Sequence, residues 1–190
     1  DGDQKYDSAT FYSISNCQEG LSRVTLGNFL IKRVVFEIQE ELPNIKHFGT
    51  LSPIPGFRDW FSYLEDVKIK NILGDVPIEN ISFLKSSDLK VGDPRIVANK
   101  VAITKLVAHY LMNEKNHKQL PINDVCRFHL GNGAIIDDII INANISEVGL
   151  NRSFGVMVNY LYELKNIEKN HEEYINNKTI IISDKLKKII

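Results

Sequence analysis

The chain has 190 residues, of which 43% are hydrophobic and 25% are charged. This length suits a single domain, and this composition can bury an apolar core, which excludes a chain that is disordered throughout. A formal net charge of −1 provides no global attraction to nucleic acid or to an anionic membrane surface. The apolar runs are far shorter than the roughly 20 residues that span a bilayer. The two cysteines form neither a disulfide framework nor a metal site by themselves, and they indicate a reducing compartment.

The first third of the sequence predicts a strand, a loop, a helix and a second strand. β-Forming residues indicate a strand over residues 9–15, and a turn follows over residues 16–20. Apolar residues then repeat at helical spacing over residues 28–42, and Pro43 ends that helix. Residues 46–51 predict the second strand. This order predicts a βαβ-like unit, in which a helix N-terminus lies at the carboxyl end of a strand.

The middle of the chain predicts less regular structure. Residues 52–57 include two prolines and interrupt the strand, and residues 58–65 predict a short helix. Residues 66–92 mix charge, glycine and proline without a steady period, so we interpret them as a variable surface insertion with one small helix. Asp93 is a typical N-cap followed by proline, and it predicts a helix that continues to Asn113.

A hairpin is the clearest prediction in the last third of the chain. The Asn132-Gly133 dipeptide favours a type I′ turn between strands over residues 125–130 and 134–141. Arg127 and Asp138 face each other in that register, so we expect them to form an ion pair across the hairpin.

The residues after the hairpin predict two helices separated by a loop. Residues 153–164 predict a helix, and residues 165–178 an Asn- and Lys-rich loop. Residues 179–182 are rich in β-formers, and a terminal helix capped by Ser183 or Asp184 follows them.

The loop over residues 18–27 is the first candidate binding site. Its glycines let the backbone approach a ligand, the helix that follows offers free N–H groups, and Arg23 adds a positive charge. These features favour a phosphate group, although Gly20 and Gly27 match neither the P-loop nor the dinucleotide fingerprint. A plain connection between a strand and a helix is the alternative.

Ser52 and His129 are the candidates for chemistry. Ser52 precedes two prolines that restrict the backbone, so its hydroxyl can donate a directed hydrogen bond, but it lacks the G-x-S-x-G pattern of hydrolases. The alternative is an ordinary Ser-Pro turn. The imidazole of His129 can give or take a proton near neutral pH. Its alternative is a histidine on the solvent side of a strand.

Tyr160 and Tyr162 are candidates for a supporting role. On the predicted helix they point about 200° apart, so only one of them can face a given cleft. Packing in the core is the alternative for both. The remaining histidines show no metal-ligand spacing; they are His47, His109, His117 and His171.

Five segments together resemble the malonyl-CoA decarboxylase family, in that family's order and at compatible spacing. They are residues 11–21 (FYSISNCQEGL), 26–32 (LGNFLIK), 51–57 (LSPIPGF), 127–134 (RFHLGNGA) and 157–162 (MVNYLY). The resemblance extends from about residue 9 to the C-terminus, and residues 66–92 match poorly.

The resemblance implies the α+β fold of the GCN5-related N-acetyltransferases, with a mixed central sheet flanked by helices. It implies that residues 1–190 are a single, partial catalytic domain. On this basis we expect the first strands of that domain and an upstream helical domain, which drives oligomerisation, to be absent from the chain.

The implied activity is that of a carboxy-lyase of fatty-acid metabolism, which converts malonyl-CoA to acetyl-CoA and CO2 without a metal or an organic cofactor. Ser52 and His129 are the implied catalytic pair, with His129 as proton donor and Ser52 as hydrogen-bond donor to the carboxylate or the enolate; the reverse division of roles stays open. Tyr162 matches a tyrosine that orients the histidine. Thr25 replaces a glutamate that some members carry. The implied CoA-binding residues are Gly20, Leu21, Arg23, Thr25, Leu26, Gly27 and Asn28.

The resemblance also implies a homo-oligomeric full-length protein in the mitochondrial matrix, with peroxisome and cytoplasm as alternatives. Residues 1–5 have none of the features of a targeting peptide. Two other functions stay open, a CoA-dependent acyltransferase of the same fold and a non-catalytic fragment. The residues 52–57 are not an acyltransferase feature, and the presence of both Ser52 and His129 disfavours a degenerate site.

Overall fold

The computed structural model describes residues 6–12 and 26–190, with backbone alone over residues 26–30. The strands are β1 (Ser8–Tyr12), β2 (His47–Pro53), β3 (Ile135–Ile140) and β4 (Met157–Tyr162). The helices are α1 (Leu26–Glu41), α2 (Phe57–Ser62), α3 (Asp66–Leu73), α4 (Pro94–Ala98), α5 (Lys100–Met112), α6 (Asp124–Gly131), α7 (Glu147–Ser153), α8 (Ile167–Asn177) and α9 (Asp184–Lys187). A 3₁₀ helix covers Ile78–Lys85. Within these ranges, no helix is both long enough and apolar enough to cross a bilayer.

The four described strands form one mixed sheet in the order β1-β2-β4-β3. β1 and β2 are parallel, and α1 lies between them in the chain, as a parallel pair requires. β4 pairs antiparallel with both β2 and β3. The predicted βαβ-like unit and the predicted mixed sheet flanked by helices are therefore confirmed.

One face of the sheet is buried at its centre. Side chains alternate along β2, and the register with β4 places the partners of each residue on the same face. Six residues on this face are at most 5% exposed; they are Phe48, Thr50, Ser52, Val158, Tyr160 and Tyr162. Because two of them are hydroxyl residues on β2, the buried face carries polar groups that need partners from the helices above it.

Residues 66–92 belong to the core, which corrects the prediction of a surface insertion. Ile69 and Leu73 on α3 are buried, as are Ile81 and Leu84 on the 3₁₀ helix. These apolar residues are too few in each short element to produce the long periodic pattern that indicates a packed helix. The segment packs against α5, so its absence of pattern reflects short elements rather than exposure.

The predicted hairpin is wrong, because residues 124–131 form α6 rather than a strand. The Asn123 side chain caps this helix by accepting the N–H of Cys126 at 2.8 Å. Asn132 is the C-cap, and Gly133 follows with a φ of 80°. Asn-Gly is favoured after a helix for the same reason as in a type I′ turn, since both need a positive φ.

The predicted pair of Arg127 and Asp138 is also wrong. The Arg127 guanidinium donates to the Pro121 and Ile122 carbonyl oxygens and contacts Asp124 at 2.6 Å. Once residues 124–131 are helical, the two side chains no longer face each other across a ladder.

Residues 153–164 form no helix beyond Ser153, where α7 ends; half of them form the strand β4. The buried and half-buried residues of β4 alternate strictly, which is the period of a strand. Residues 165–178 contain α8 rather than a loop, and its buried residues Ile167, Asn170 and Tyr174 fall at helical spacing.

The helix predicted after Asp93 is present but divided at Asn99 into α4 and α5. The Asp93 side chain caps it as predicted, by accepting the Arg95 N–H at 2.9 Å. At the C-terminus, Ser183 caps α9 by accepting the Leu186 N–H at 3.3 Å, which confirms one of the two predicted caps.

Candidate active site

The backbone around Ser52 is anchored just after the strand that carries it. Ser52 lies on β2, and two prolines follow, so this segment has few N–H groups with which to hold itself in place. The Pro55 carbonyl oxygen instead accepts hydrogen bonds from Tyr110 Oη at 3.0 Å and from Asn123 Nδ2 at 2.9 Å. The two helices α5 and α6 thus fix the position at which β2 ends.

Asn123 connects the two halves of the site. Its Oδ1 caps α6 and its Nδ2 binds Pro55, while the side chain is 2% exposed. The same side chain therefore positions the helix that carries His129 and the segment that follows Ser52. Asn123 is not among the residues predicted from the sequence, although an Asn directly before a helical pattern is a typical N-cap signal.

Ser52, His129 and Tyr162 form a continuous hydrogen-bonded chain. Ser52 Oγ lies 2.9 Å from His129 Nε2, and His129 Nδ1 lies 2.8 Å from Tyr162 Oη. None of the three is more than 5% exposed. The structure therefore brings together the three residues predicted for the reacting centre, with Ser52 and Tyr162 each one hydrogen bond from His129; their catalytic roles stay predictions.

Thr50 extends this chain by one group. Ser52 Oγ donates to Thr50 Oγ1 at 3.3 Å, and Thr50 is fully buried one strand repeat away on the same face of β2. If Ser52 donates to Thr50, then His129 Nε2 donates to Ser52, and Nδ1 accepts the Tyr162 hydroxyl proton. This arrangement gives each of the three hydrogen bonds one donor and one acceptor. It places the ring hydrogen of neutral His129 on Nε2, which faces Ser52.

The chain of side chains is uncharged near neutral pH. Burial lowers the pKa of His129 from 6.5 to about 3, and burial raises the pKa of Tyr162 well above its usual range. A neutral, buried, hydrogen-bonded imidazole has no counter-charge in the free protein. An anion brought next to it would therefore meet directed donors in a setting of low dielectric constant.

Tyr160 is a further residue at the site. Its ring stacks on the His129 imidazole with centroids 4.3 Å apart and planes 19° apart. On the helix predicted from the sequence, Tyr160 and Tyr162 point in different directions. On a strand, residues two apart share a face, so both reach His129.

The predicted CoA-binding residues lie mostly beyond the part of the chain that the structure describes. Gly20, Leu21, Arg23 and Thr25 are outside the described residues, and Leu26, Gly27 and Asn28 form the first turn of α1 with backbone alone described. In the chain, α1 connects the parallel strands β1 and β2, and such a connection can place a helix N-terminus near the carboxyl end of a strand. Over residues 6–12 and 26–190, no three His, Cys, Asp or Glu side chains cluster in a way that could hold a metal ion.

The comparisons with a family profile, with curated proteins and with solved structures all identify the same family. The family profile described as "Malonyl-CoA decarboxylase C-terminal domain" matches residues 1–190. The chain is 37% identical over 201 residues to "Malonyl-CoA decarboxylase, mitochondrial" of Rattus norvegicus and to that of Mus musculus. In both comparisons the match covers 96% of this chain and 41% of the relative, so the chain spans about two fifths of their length.

Solved structures of three bacterial malonyl-CoA decarboxylases have the same fold over nearly the whole chain. The Rhodopseudomonas palustris structure is 38% identical with a TM-score of 0.84, covering 96% of this chain and 42% of that one. The Agrobacterium vitis structure is 36% identical with a TM-score of 0.84, covering 99% and 46%. The Cupriavidus metallidurans structure is 36% identical with a TM-score of 0.78, covering 95% and 48%. The chain therefore belongs to the malonyl-CoA decarboxylase family and corresponds to its C-terminal domain.

Proposed function

We propose that the complete protein is a carboxy-lyase of fatty-acid metabolism that converts malonyl-CoA to acetyl-CoA and CO2, with Ser52 and His129 at the reacting centre. The observation that carries the proposal is the buried contact of 2.9 Å between Ser52 Oγ and His129 Nε2, in a chain of this family. The further bond from His129 to Tyr162 supports a dedicated arrangement rather than a chance contact.

The reaction defines what the site must do. The bond between the α-carbon and the carboxylate of the malonyl group breaks, CO2 leaves, and the electron pair delocalises into the thioester carbonyl as an enolate. One proton must then reach the α-carbon to give acetyl-CoA. The site therefore needs a hydrogen-bond donor for the carboxylate or the enolate oxygen and a proton donor for the carbon.

His129 suits the role of proton donor once substrate is bound. In the free protein its imidazole is neutral, because burial lowers its pKa. The malonyl carboxylate brings a negative charge to the same buried place, and a nearby anion raises the pKa of an imidazole. His129 then takes up one proton, gives it to the α-carbon after CO2 has left, and returns to the neutral form. Over one turnover, the one proton that His129 takes up equals the one proton that the reaction consumes.

Ser52 and Tyr162 have supporting roles in this proposal. The Ser52 hydroxyl, which donates to Thr50 in the free protein, donates instead to the carboxylate or to the enolate that replaces it once substrate is bound. Tyr162 holds the Nδ1 side of the ring, so that Nε2 faces Ser52.

The substrate and the setting of the complete protein belong to the same proposal. The CoA pyrophosphate is bound by the loop before α1 and by the first turn of that helix; the residues are Gly20, Leu21, Arg23, Thr25, Leu26, Gly27 and Asn28. We propose a homo-oligomer in the mitochondrial matrix that needs no metal and no organic cofactor. Support for the compartment comes from relatives that carry "mitochondrial" in their names.

The test is release of CO2 and acetyl-CoA from malonyl-CoA by the complete protein. We expect equal amounts of the two products and a large loss in Ser52→Ala. The matched control is Ser153→Ala, which also removes a buried serine hydroxyl but one that binds the Val156 carbonyl, and it should retain turnover. Transfer of an acyl group to an added amine without release of CO2 would indicate an acyltransferase instead. An absence of turnover in the wild type would overturn the proposal.

A further inference from the structure

The ring of Tyr160 lies flat against the imidazole of His129. The two centroids are 4.3 Å apart and the planes differ by 19°, which is closer and more parallel than the contacts of His129 with Phe128 or Tyr162. Tyr160 is 1% exposed, and its register partner on β2 is Thr50, which contacts Ser52. Tyr160 therefore packs against the hydrogen-bonded chain of Ser52, His129 and Tyr162 from the side of the core.

The two hydrogen bonds of His129 restrain one motion of its ring only weakly. They act at Nδ1 and Nε2, through Tyr162 and Ser52, so they fix a line across the ring. Rotation about that line tilts the ring plane and bends both hydrogen bonds away from their preferred in-plane direction. A second ring stacked in parallel on the imidazole face prevents this tilt, because tilting would cause an overlap of the two rings.

Tyr160 also lies next to the helix that carries His129. Its hydroxyl is close enough to the buried thiol of Cys126 for the two groups to influence each other's pKa, and Cys126 lies three residues before His129 on α6. Three residues is almost one helical turn, so Cys126 and His129 lie on the same side of α6. The centre of the sheet thus holds the backbone of Tyr160, and the hydroxyl end of its ring lies against α6.

We propose that Tyr160 is a positioning residue of the decarboxylation proposed above: its ring sets the plane of the His129 imidazole and excludes water from that face. The role belongs to the ring rather than to the hydroxyl. The proposal rests on the proposed function for its kinetic consequences, but its structural consequence for His129 is independent of turnover.

The groups around His129 make the effect of Tyr160 measurable. Among the residues that the structure describes, the titratable side chains near the imidazole are Tyr160 and Tyr162 on β4 and, behind Tyr160, Cys126 on α6 and Tyr174 on α8. Burial raises the pKa of each of these four groups, so all four are neutral at pH 7. On β2, Ser52 and Thr50 contribute hydroxyl groups that carry no charge. Admission of water is therefore the change that would move the titration of His129 after loss of the ring.

The experiment compares three variants of the complete protein. Tyr160→Leu removes the ring, Tyr160→Phe keeps the ring and removes the hydroxyl, and Phe61→Leu removes an equally buried ring that packs against Phe154 instead of His129. The measurements are kcat and KM for malonyl-CoA, and the pH at which His129 titrates, followed by NMR of protein labelled with ¹⁵N-histidine.

We expect Tyr160→Leu to lower kcat by about 10- to 100-fold with little change in KM, because small displacements of a reacting group have effects of this size. We also expect its His129 to titrate at higher pH than in the wild type, since water reaches the ring. Tyr160→Phe should restore kcat to within about threefold of the wild type. Phe61→Leu should lower the melting temperature without either effect.

Equal losses in Tyr160→Phe and Tyr160→Leu would overturn the proposal, because they would assign the role to the hydroxyl. An unchanged titration of His129 in Tyr160→Leu would also overturn it, whether or not the wild type decarboxylates malonyl-CoA. If the wild type shows no decarboxylation while the titration shifts as expected, the proposed function fails and the positioning role of Tyr160 stands.

Discussion

The two nitrogens of His129 both meet hydroxyl groups, those of Ser52 and Tyr162. A carboxylate partner would raise the pKa of a histidine, whereas a neutral hydroxyl partner does not offset the effect of burial. Burial lowers the pKa of His129 to about 3. If His129 donates the proton in the proposed decarboxylation, that proton must therefore arrive together with the malonyl carboxylate. This order of events has a measurable consequence.

Binding of an uncleavable malonyl thioester analogue should be accompanied by proton uptake at His129. In the free protein the imidazole is neutral throughout pH 5–8, since its pKa of about 3 is far below that range. The bound carboxylate raises this pKa, so the uptake per site should grow as the pH is lowered from 8 toward 5, up to about one proton. Calorimetry in buffers with different ionisation enthalpies measures the uptake.

Two controls separate this proton from others. An analogue that lacks the carboxylate should bind the wild type with no uptake, and His129→Ala should bind the malonyl analogue with no uptake. The same uptake in the wild type and in His129→Ala would show that the proton goes elsewhere.

Ser52, His129 and Tyr162 could be selected from the sequence because each lies in a long family segment. Thr50 and Tyr160 could not, because their contacts depend on the strand periodicity of β2 and β4. On a helix, Tyr160 and Tyr162 diverge; on a strand they share a face, and the register adds Thr50. The helix predicted over residues 153–164 therefore hid the contact of Tyr160 with His129, and the strand predicted over residues 46–51 ended one residue before Ser52, which hid its contact with Thr50. Neither error affected the choice of the candidate catalytic residues.

At the scale of secondary structure, Asn123 couples α6 to the end of β2. Asn123→Ala removes the cap of α6 and the hydrogen bond to Pro55 together. We expect a loss of about 1–3 kcal/mol in the free energy of unfolding, measured by urea denaturation. We also expect a fall in kcat, because Ser52 and His129 lose their common anchor.

Ser146→Ala is the matched control for this prediction. Ser146 caps α7 by accepting the Gly149 N–H at 3.1 Å, but it does not contact the Ser52 segment. It should cost about 1 kcal/mol of stability and leave kcat near that of the wild type. Equal kcat values for Asn123→Ala and Ser146→Ala would contradict a coupling role for Asn123.

Gly133 fixes the passage from α6 to β3 and the docking of α8. It has a φ of 80°, and a Cβ at this position would overlap the Ile167 carbonyl group. The same stretch accepts hydrogen bonds from Asn170 and His171 on α8. A side chain here would therefore displace α8 from the end of the helix that carries His129.

Gly133→Ala should lower the free energy of unfolding by at least about 3 kcal/mol, from backbone strain and overlap combined. Gly92→Ala isolates the strain, because Gly92 has a φ of 72° and open space around it. We expect that control to lose only about 1–2 kcal/mol in the same urea denaturation. Similar losses of unfolding free energy at the two positions would mean that α8 can shift away from residue 133 without a loss of stability.

The elements predicted correctly are those whose local residue pattern is compatible with only one type of secondary structure. A proline after an apolar helical stripe, and Asp93 before Pro94, each mark a helix end or start. Asn132-Gly133 has two meanings, a hairpin turn or a helix C-terminus, and only the packing of α6 over the sheet distinguishes them. The short elements of residues 66–92 have too few turns to show a period at all.

Over the whole molecule, the fold brings together residues that lie 77 positions apart in the chain. Ser52 is on β2, Tyr162 is on β4, and the sheet order makes these two strands neighbours. The helix α6 then places His129 within hydrogen-bond distance of both Ser52 and Tyr162. The family resemblance predicted the mixed sheet and the pairing of Ser52 with His129, whereas the path of residues 124–178 depended on long-range contacts that local patterns do not contain.

The joint action of Ser52 and His129 is tested most directly by kcat for CO2 release from malonyl-CoA in the complete protein carrying Ser52→Ala, His129→Ala or both. General acid–base assistance is worth about 10²–10⁴-fold, so each single variant should lose about that factor in kcat with a smaller change in KM. The double variant should lose much less than the product of the two losses, because the residues act as one unit. Turnover near that of the wild type in either single variant, or losses that simply multiply, would contradict a reaction centred on this pair.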